Sequence, residues 1–190
     1  MSGHDNMTVP LHRPKYQEKL FFLISGIIVS IPLTLFINGL WDYLLASIPP
    51  NYLALLSVVL LAPLIEEFSK AYPLFYRHAE TERSIFILGF LVGLGFGIAE
   101  FVQYVVLFGQ PIVLRLPGVF FHASITSLVA FGIAKKRPFP YYLVALALHF
   151  SNNLLAVLGL WFLGGPLVIG LTYLLSWYFY GKTQERMIPF

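Results

Sequence analysis

The stretch YLALLSVVLLAPLIEEFSKAYPLFY, residues 52–76, decides the fold of this 190-residue chain. An α-helix of this length reaches about 37 Å at 1.5 Å per residue, which exceeds the roughly 30 Å hydrocarbon core of a bilayer. Two adjacent carboxylates, Glu66 and Glu67, lie within it. A charged side chain at the bilayer centre costs about 2.5–3.5 kcal/mol on insertion scales, and neighbouring carboxylates also repel one another. Because helix packing does not require such a pair, we interpret it as a functional site.

The composition is typical of an integral membrane protein. The chain is 58% hydrophobic and 11% charged, whereas soluble domains carry about 25% charged residues. Long apolar blocks, rather than short alternating segments, predict an all-α polytopic membrane bundle. The absence of cysteine excludes disulfides, a thiolate nucleophile and Cys-ligated metals. The net charge of +3 comes with basic residues at span ends, so the predicted partner is the lipid bilayer and not nucleic acid.

The apolar blocks predict six transmembrane helices. We expect them at residues 20–40, 52–76, 84–108, 112–134, 140–160 and 161–181, between a polar tail at 1–19 and a short C-terminal tail at 182–190. Basic residues fall on alternate connections, at positions 13–19, 77–83, 135–137 and 182–186. This positive-inside pattern predicts that both termini are cytoplasmic. The chain resembles small prokaryotic membrane proteins, which favours the cell membrane as its location, and no feature selects an oligomeric state.

Polar residues inside the spans concentrate in the four central helices. These residues are Glu66, Glu67, Lys70, Glu100, Gln103, Arg115, His122, Ser124, Thr126, Ser127, His149, Ser151, Asn152 and Asn153. Counted from the predicted cytoplasmic ends, Glu66, His122 and His149 lie about 14–18 Å deep, and Glu100 lies about 24 Å deep. Four helices of alternating direction therefore bring polar groups towards one layer of the membrane.

Helical spacing predicts which of these groups face the bundle. Gly89, Gly93 and Gly97 form a stripe of small residues that predicts close contact with another helix. Glu100 follows Gly97 by three residues and should lie on the same side. We therefore expect Glu100 to face the interior of the bundle.

The same reasoning predicts pairs within helices two and five. Glu66 and Lys70 are four residues apart and can pair along the helix. Glu67 then points about 100° away and must find another partner. His149 and Asn153 are also four residues apart and should share a face.

Buried carboxylates beside imidazoles are equipped to activate water. A Glu can act as general base, a His can hold a second proton and an Asn amide can donate to an oxyanion. Zinc is compatible with Glu and His ligands, although no His-Glu-x-x-His run is present. A metal-dependent and a metal-free mechanism both remain open at this point.

A simpler interpretation assigns some polar residues to contacts between helices. Interhelical hydrogen bonds contribute about 0.6–2 kcal/mol each in membranes. We expect this role for the smaller groups in helices four and five, and structural or interfacial roles for two others. The first set is Ser124, Thr126, Ser127 and Asn152, and the second is Gln103 and Arg115.

Three segments together resemble a known family. Residues 66–70, EEFSK, resemble the Glu-Glu-x-x-Lys motif of PrsW-type intramembrane proteases, which are similar to the CAAX- and bacteriocin-processing (CPBP or Abi) membrane proteases. Residues 96–100, FGIAE, occupy the place of the second motif, with Glu where the CAAX enzymes have His. Residues 149–153, HFSNN, match the third motif, and His122 resembles an additional intramembrane His of PrsW-like sequences. The resemblance covers helices two to five.

This resemblance implies an intramembrane endopeptidase that cleaves a membrane protein substrate. By it, Glu66 is the main water-activating base and Glu67 supports it. His149 and Asn153 would position water and stabilise the oxyanion.

Two further residues have less defined roles in the resemblance. His122 would contact water or a metal such as zinc, and Glu100 would be a base, a water anchor or a metal ligand. The substitution of Glu100 for His makes a CAAX prenyl-protein substrate less favoured. A proton- or ion-coupled transporter is one alternative, because Glu and His chains also relay protons. A non-catalytic, protease-like membrane scaffold is another.

Overall fold

The structure is a computed structural model that describes residues 12–76 and 81–186. Most of the predicted N-terminal tail, the basic residue Arg77 and the last four residues lie outside the described residues. The described part consists of helices and their connections. They are α1 (Tyr16–Ser25), α2 (Ile31–Leu44), α3 (Pro50–Ala54), α4 (Ala62–Ala71), α5 (Glu82–Val102), α6 (Ile112–Ala134), α7 (Pro138–Val157) and α8 (Trp161–Lys182).

Wider or tighter turns extend several of these helices. A π-helical turn at Gly26–Ser30 joins α1 to α2, and another at Leu55–Leu61 joins α3 to α4. A third π turn, Gln103–Leu107, continues α5, and a 3₁₀ turn, Tyr72–Tyr76, follows α4. The eight helices therefore form six rods, at the six positions predicted from the sequence.

Five of these rods are long and apolar enough to cross a membrane. They are Tyr16–Trp41, Tyr52–Tyr76, Glu82–Leu107, Ile112–Ala134 and Phe162–Lys182. This confirms an all-α polytopic membrane bundle. The sixth rod, α7, has 20 residues and is long enough to cross a membrane. Its His and Asn side chains lower its mean hydropathy, so it is less apolar than the other five. The cytoplasmic placement of both termini and the division into tails and membrane domain stay predictions.

The glycine stripe of α5 confirms the expected close helix contact, and its partner is α6. A Cβ atom added to Gly93 would lie 2.2 Å from the carbonyl oxygen of His122, and one added to Gly97 would lie 2.7 Å from that of Val119. A Cβ atom added to Gly89 would likewise lie 2.3 Å from the Cβ of Ala130 on α6. Only glycine allows backbones to approach this closely. The stripe therefore sets the position of His122 relative to the residues of α5.

The opposite face of α5 packs just as closely against the first rod. A Cβ atom on Gly95 would lie 2.0 Å from the carbonyl oxygen of Leu23, and one on Gly26 would lie 2.0 Å from that of Val92. α5 is therefore held between α1 and α6. This central position fixes the residues of α5 relative to both neighbouring helices.

A buried ion cluster joins the ends of α5, α6 and α8. The side chain of Glu82 is only 2% exposed. Its Oε2 accepts a hydrogen bond from Lys135 Nζ at 2.6 Å, and its Oε1 accepts one from Arg186 Nε at 2.6 Å. Charge-assisted bonds of this kind are stronger than neutral ones. They fix this end of the bundle, on the side predicted to be cytoplasmic.

Candidate functional site

The centre of the site is a buried ion pair within α4. Glu67 and Lys70 are three residues apart, and both side chains are 0% exposed. Lys70 Nζ donates to Glu67 Oε1 at 2.6 Å. The sequence predicted Glu66 as the partner of Lys70, whereas the structure bonds Lys70 to Glu67. Lys70 also contacts His122 on α6, and Glu67 also contacts His149 on α7, so the pair lies where three helices meet.

His149 on α7 is the second partner of Glu67. Its Nδ1 lies 2.7 Å from the same Glu67 oxygen, Oε1. Because an ionised carboxylate only accepts hydrogen bonds, Nδ1 is assigned the proton and Nε2 the lone pair. That Nε2 lies 3.8 Å from Glu66 Oε2, which is too far for a hydrogen bond. His149 therefore presents an unprotonated nitrogen towards Glu66.

His122 on α6 is held in a comparable way between two partners. Its Nε2 lies 2.5 Å from Glu100 Oε2, and its Nδ1 lies 3.0 Å from Lys70 Nζ. An ammonium group has only donors, so Nδ1 must accept and Nε2 must carry the proton towards Glu100. The contact also shows that Glu100 faces the bundle interior, as the glycine stripe predicted.

Aromatic rings surround the two imidazoles. The ring centroids of His122 and His149 are 5.4 Å apart. Phe121 packs edge-on against both, at 5.7 and 5.5 Å, and Phe96 lies 5.0 Å from His122. Such packing restricts ring rotation and lowers the local dielectric constant. The polar groups are therefore held in a fixed, apolar enclosure.

Glu66, His122 and His149 converge on one point. Each offers one ligand atom, and these atoms all lie within 4.8 Å of one another. Glu66 Oε2 is buried and has no hydrogen-bond partner, and the same holds for Glu67 Oε2. Unpartnered buried polar atoms commonly mark the place of a water or an ion. One carboxylate and two imidazoles also form the donor set of several catalytic zinc sites, so these residues fit a divalent metal.

The net charge of the cluster also favours a bound cation. Among the described residues, the cluster contains three carboxylates, Glu66, Glu67 and Glu100, and one bonded ammonium group, Lys70. With neutral imidazoles, two negative charges remain unbalanced. Buried charges are normally paired or bound to metal, and one divalent cation would supply the missing charge.

Asn153 has a partner outside this cluster. Its Nδ2 donates to the carbonyl oxygen of Val58 at 2.9 Å, within the π turn before α4. In a π pattern that carbonyl would accept from Pro63, five residues later, which has no N–H. Asn153 thus satisfies a carbonyl that Pro63 leaves free. The amide has a second N–H, so this bond does not exclude donation to an oxyanion, the role implied by the resemblance.

Sequence reasoning missed two positioning contacts of α4. Tyr142 on α7 donates its hydroxyl to the carbonyl oxygen of Leu64 at 2.8 Å. Lys70 was expected only as a partner of Glu66, yet it connects α4 to α6 through His122. Neither contact has a signal in local spacing, because both depend on how separate helices pack.

Two of the remaining polar residues, Ser127 and Arg115, make contacts outside the convergent group. Ser127 on α6 and Ser176 on α8 share a hydrogen bond of 2.8 Å, which is the interhelical role predicted for Ser127. The guanidinium of Arg115 lies 3.7 Å from the ring centroid of Tyr104, as a cation–π pair. Arg115 therefore has a structural contact and is not part of the convergent group.

Comparison with known families agrees with this arrangement. The family model described as PrsW family intramembrane metalloprotease matches residues 16–180, which include all six rods except the last two residues of α8. No curated protein and no solved structure is significantly similar to the chain. The family match spans well over half of the chain and includes the whole convergent site. The protein therefore belongs to the PrsW family of intramembrane metalloproteases.

Proposed function

We propose that this protein cleaves a membrane protein substrate within or near the bilayer, using a water-activating centre formed by Glu66, His122 and His149. The observation that carries the proposal is the convergence of their ligand atoms to within 4.8 Å inside a membrane bundle. Three separate helices contribute these residues. Helix packing alone gives no reason for such a meeting of a carboxylate and two imidazoles.

The same three residues would hold a divalent cation. Such an ion, when bound, supplies Lewis-acid polarisation of water and of the scissile carbonyl. Zinc suits a carboxylate with two imidazoles better than magnesium does, since magnesium prefers oxygen ligands. We therefore place the metal contacts at Glu66, His122 and His149.

Two further carboxylates orient the imidazoles. Glu67 holds Nδ1 of His149, and Glu100 holds Nε2 of His122. Carboxylate–histidine pairs of this kind fix the tautomer and the ring orientation of metal-binding histidines. We assign Glu67 and Glu100 this positioning role.

Glu66 contacts the reacting water in this proposal. Its Oε2 has no protein partner and lies beside His149 Nε2. Glu66 can bind water through this oxygen and accept its proton, as the resemblance implies for the main base. When a cation is bound, the same oxygen would instead be one of its ligands, and the cation would polarise the water.

The cell membrane, with both termini cytoplasmic, is the proposed location. The alternating basic connections support this orientation. The order of the three motifs also favours a relationship to the CAAX-processing group. The complete set of carboxylates and imidazoles favours a catalyst over a non-catalytic scaffold, and membership of a protease family favours it over a transporter.

A cleavage assay in lipid vesicles tests this function. The purified protein is reconstituted with single-span substrate proteins, and mass spectrometry maps the products. We expect cleavage within or next to the transmembrane segment, loss of cleavage after removal of metal by a chelator, and recovery with zinc. Magnesium serves as the control and should not restore activity. Cleavage that persists after complete metal removal would contradict the metal-dependent centre, and no cleavage with zinc present would contradict the proposed function.

A further inference from the structure

Lys70 is a cation built into the proposed metal centre. Its side chain is 0% exposed. Its ammonium lies 2.6 Å from Glu67 Oε1, 3.0 Å from His122 Nδ1 and 4.6 Å from the ring centroid of Phe96. Burial of an ammonium is costly unless it is bonded, and these contacts supply the required partners.

The contact with His122 has a consequence for metal binding. Nε2 of His122 is bonded to Glu100, so Nδ1 is the nitrogen with a lone pair available to a metal. That nitrogen is the one that faces Lys70 Nζ. A lone pair that accepts a hydrogen bond from an ammonium cannot bind a metal at the same time. In this arrangement, Lys70 occupies the ligand position of His122.

The other two ligands are not blocked in this way. Glu66 Oε2 has no hydrogen-bond partner. Nε2 of His149 lies 3.8 Å from that oxygen and carries the lone pair, because Nδ1 is bonded to Glu67. Two of the three ligands are therefore ready for a cation, and the third is held by Lys70.

We propose that Lys70 is an internal competitor of the metal: it holds His122 Nδ1 in the metal-free protein and releases it when a divalent cation binds. This inference rests on the proposed metal centre. While the metal is absent, the ammonium offsets the repulsion among the carboxylates and keeps α4 and α6 together. When the metal binds, Lys70 keeps its bond to Glu67 and loses the one to His122. Metal affinity is thus lower than the three ligands alone would give.

Lys70→Met tests the competition, because it removes the ammonium and keeps most of the side-chain volume. We expect the Co²⁺ dissociation constant of the variant to fall about tenfold or more, since a hydrogen bond to a charged group no longer has to be broken. The measurement is a titration of the full-length protein in detergent, followed by the visible absorption of bound Co²⁺. Cleavage activity is not needed for this readout.

A second pair of variants covers the case in which Lys70→Met does not fold. Removal of Lys70 leaves Glu67 as a buried charge with one partner fewer, which is strongly destabilising. Glu67→Gln removes that charge, so the double variant Glu67→Gln/Lys70→Met is compared with Glu67→Gln alone. We expect the same tenfold gain in Co²⁺ affinity between these two proteins.

Lys135→Met is the matched control. It removes a bond of the same 2.6 Å length, from Lys135 Nζ to Glu82, at the end of the bundle. Its Co²⁺ affinity should equal that of the wild type. Equal or weaker Co²⁺ binding in both Lys70 comparisons, with a wild type that binds, would overturn the role of Lys70 and leave the metal centre intact. A wild type and a Lys70 variant that both fail to bind Co²⁺ would overturn the metal centre as well.

Discussion

Glu66→Gln should lower the cleavage rate about 10²–10⁴-fold while the protein remains folded, since general acid–base groups contribute to this extent. The amide neither accepts a proton from water nor binds metal as a carboxylate does. Folding should be retained because Glu66 Oε2 makes no hydrogen bond that the substitution would break. Cleavage kinetics in vesicles and thermal unfolding of the same preparation measure the two effects.

Glu67→Gln is the informative comparison for this result. Glu67 Oε1 accepts from both Lys70 and His149, so its substitution weakens a buried ion pair and should lower thermal stability together with activity. Glu66→Gln should lower activity alone. A Glu66→Gln protein that cleaves a verified substrate at nearly the wild-type rate would remove Glu66 from the reacting centre.

Gly93→Ala should disable the site without changing any polar group. The new Cβ would lie 2.2 Å from the carbonyl oxygen of His122 and 2.8 Å from the Cα of Ala123. Both neighbours are backbone atoms, so α5 and α6 must separate, at a typical cost of about 1–3 kcal/mol. Separation moves His122 away from Glu100, and misplacement by about 1 Å can reduce a rate about 10²-fold. Thermal unfolding and cleavage rates should both decrease.

Gly170→Ala in α8 is the control for the glycine experiment. A Cβ at this position has nothing within 4 Å, so the helix should accept alanine without loss of stability or activity. Unchanged cleavage by Gly93→Ala would show that the close approach of α5 and α6 does not position the site.

Much of the fold was predictable because membrane helices are encoded locally. A run of apolar residues specifies each rod, and the glycine stripe identified the inner face of α5 and therefore the orientation of Glu100. The depths of Glu66, His122 and His149 predicted that they lie in one membrane layer, because helices of alternating direction cross the same bilayer. These features depend on short-range sequence patterns, which can be recognised before the packing of the helices is known.

The partners of individual side chains were less predictable. Helical spacing allows Lys70 to meet either Glu66 or Glu67, whereas in the structure it bonds to Glu67 and also contacts His122 in another helix. The bond from Asn153 to Val58 depends on a π turn and on the missing N–H of Pro63. Both outcomes are set by tertiary packing, which spacing within one helix does not encode.

The most direct test of the shared centre is the X-ray absorption spectrum of the purified protein loaded with one equivalent of zinc. We predict a first shell of nitrogen and oxygen atoms, with outer-shell scattering from two imidazoles. One imidazole should be lost in His122→Gln and the other in His149→Gln. A zinc spectrum without imidazole scattering, or one that neither substitution changes, would contradict the convergence of these residues on a single catalytic centre.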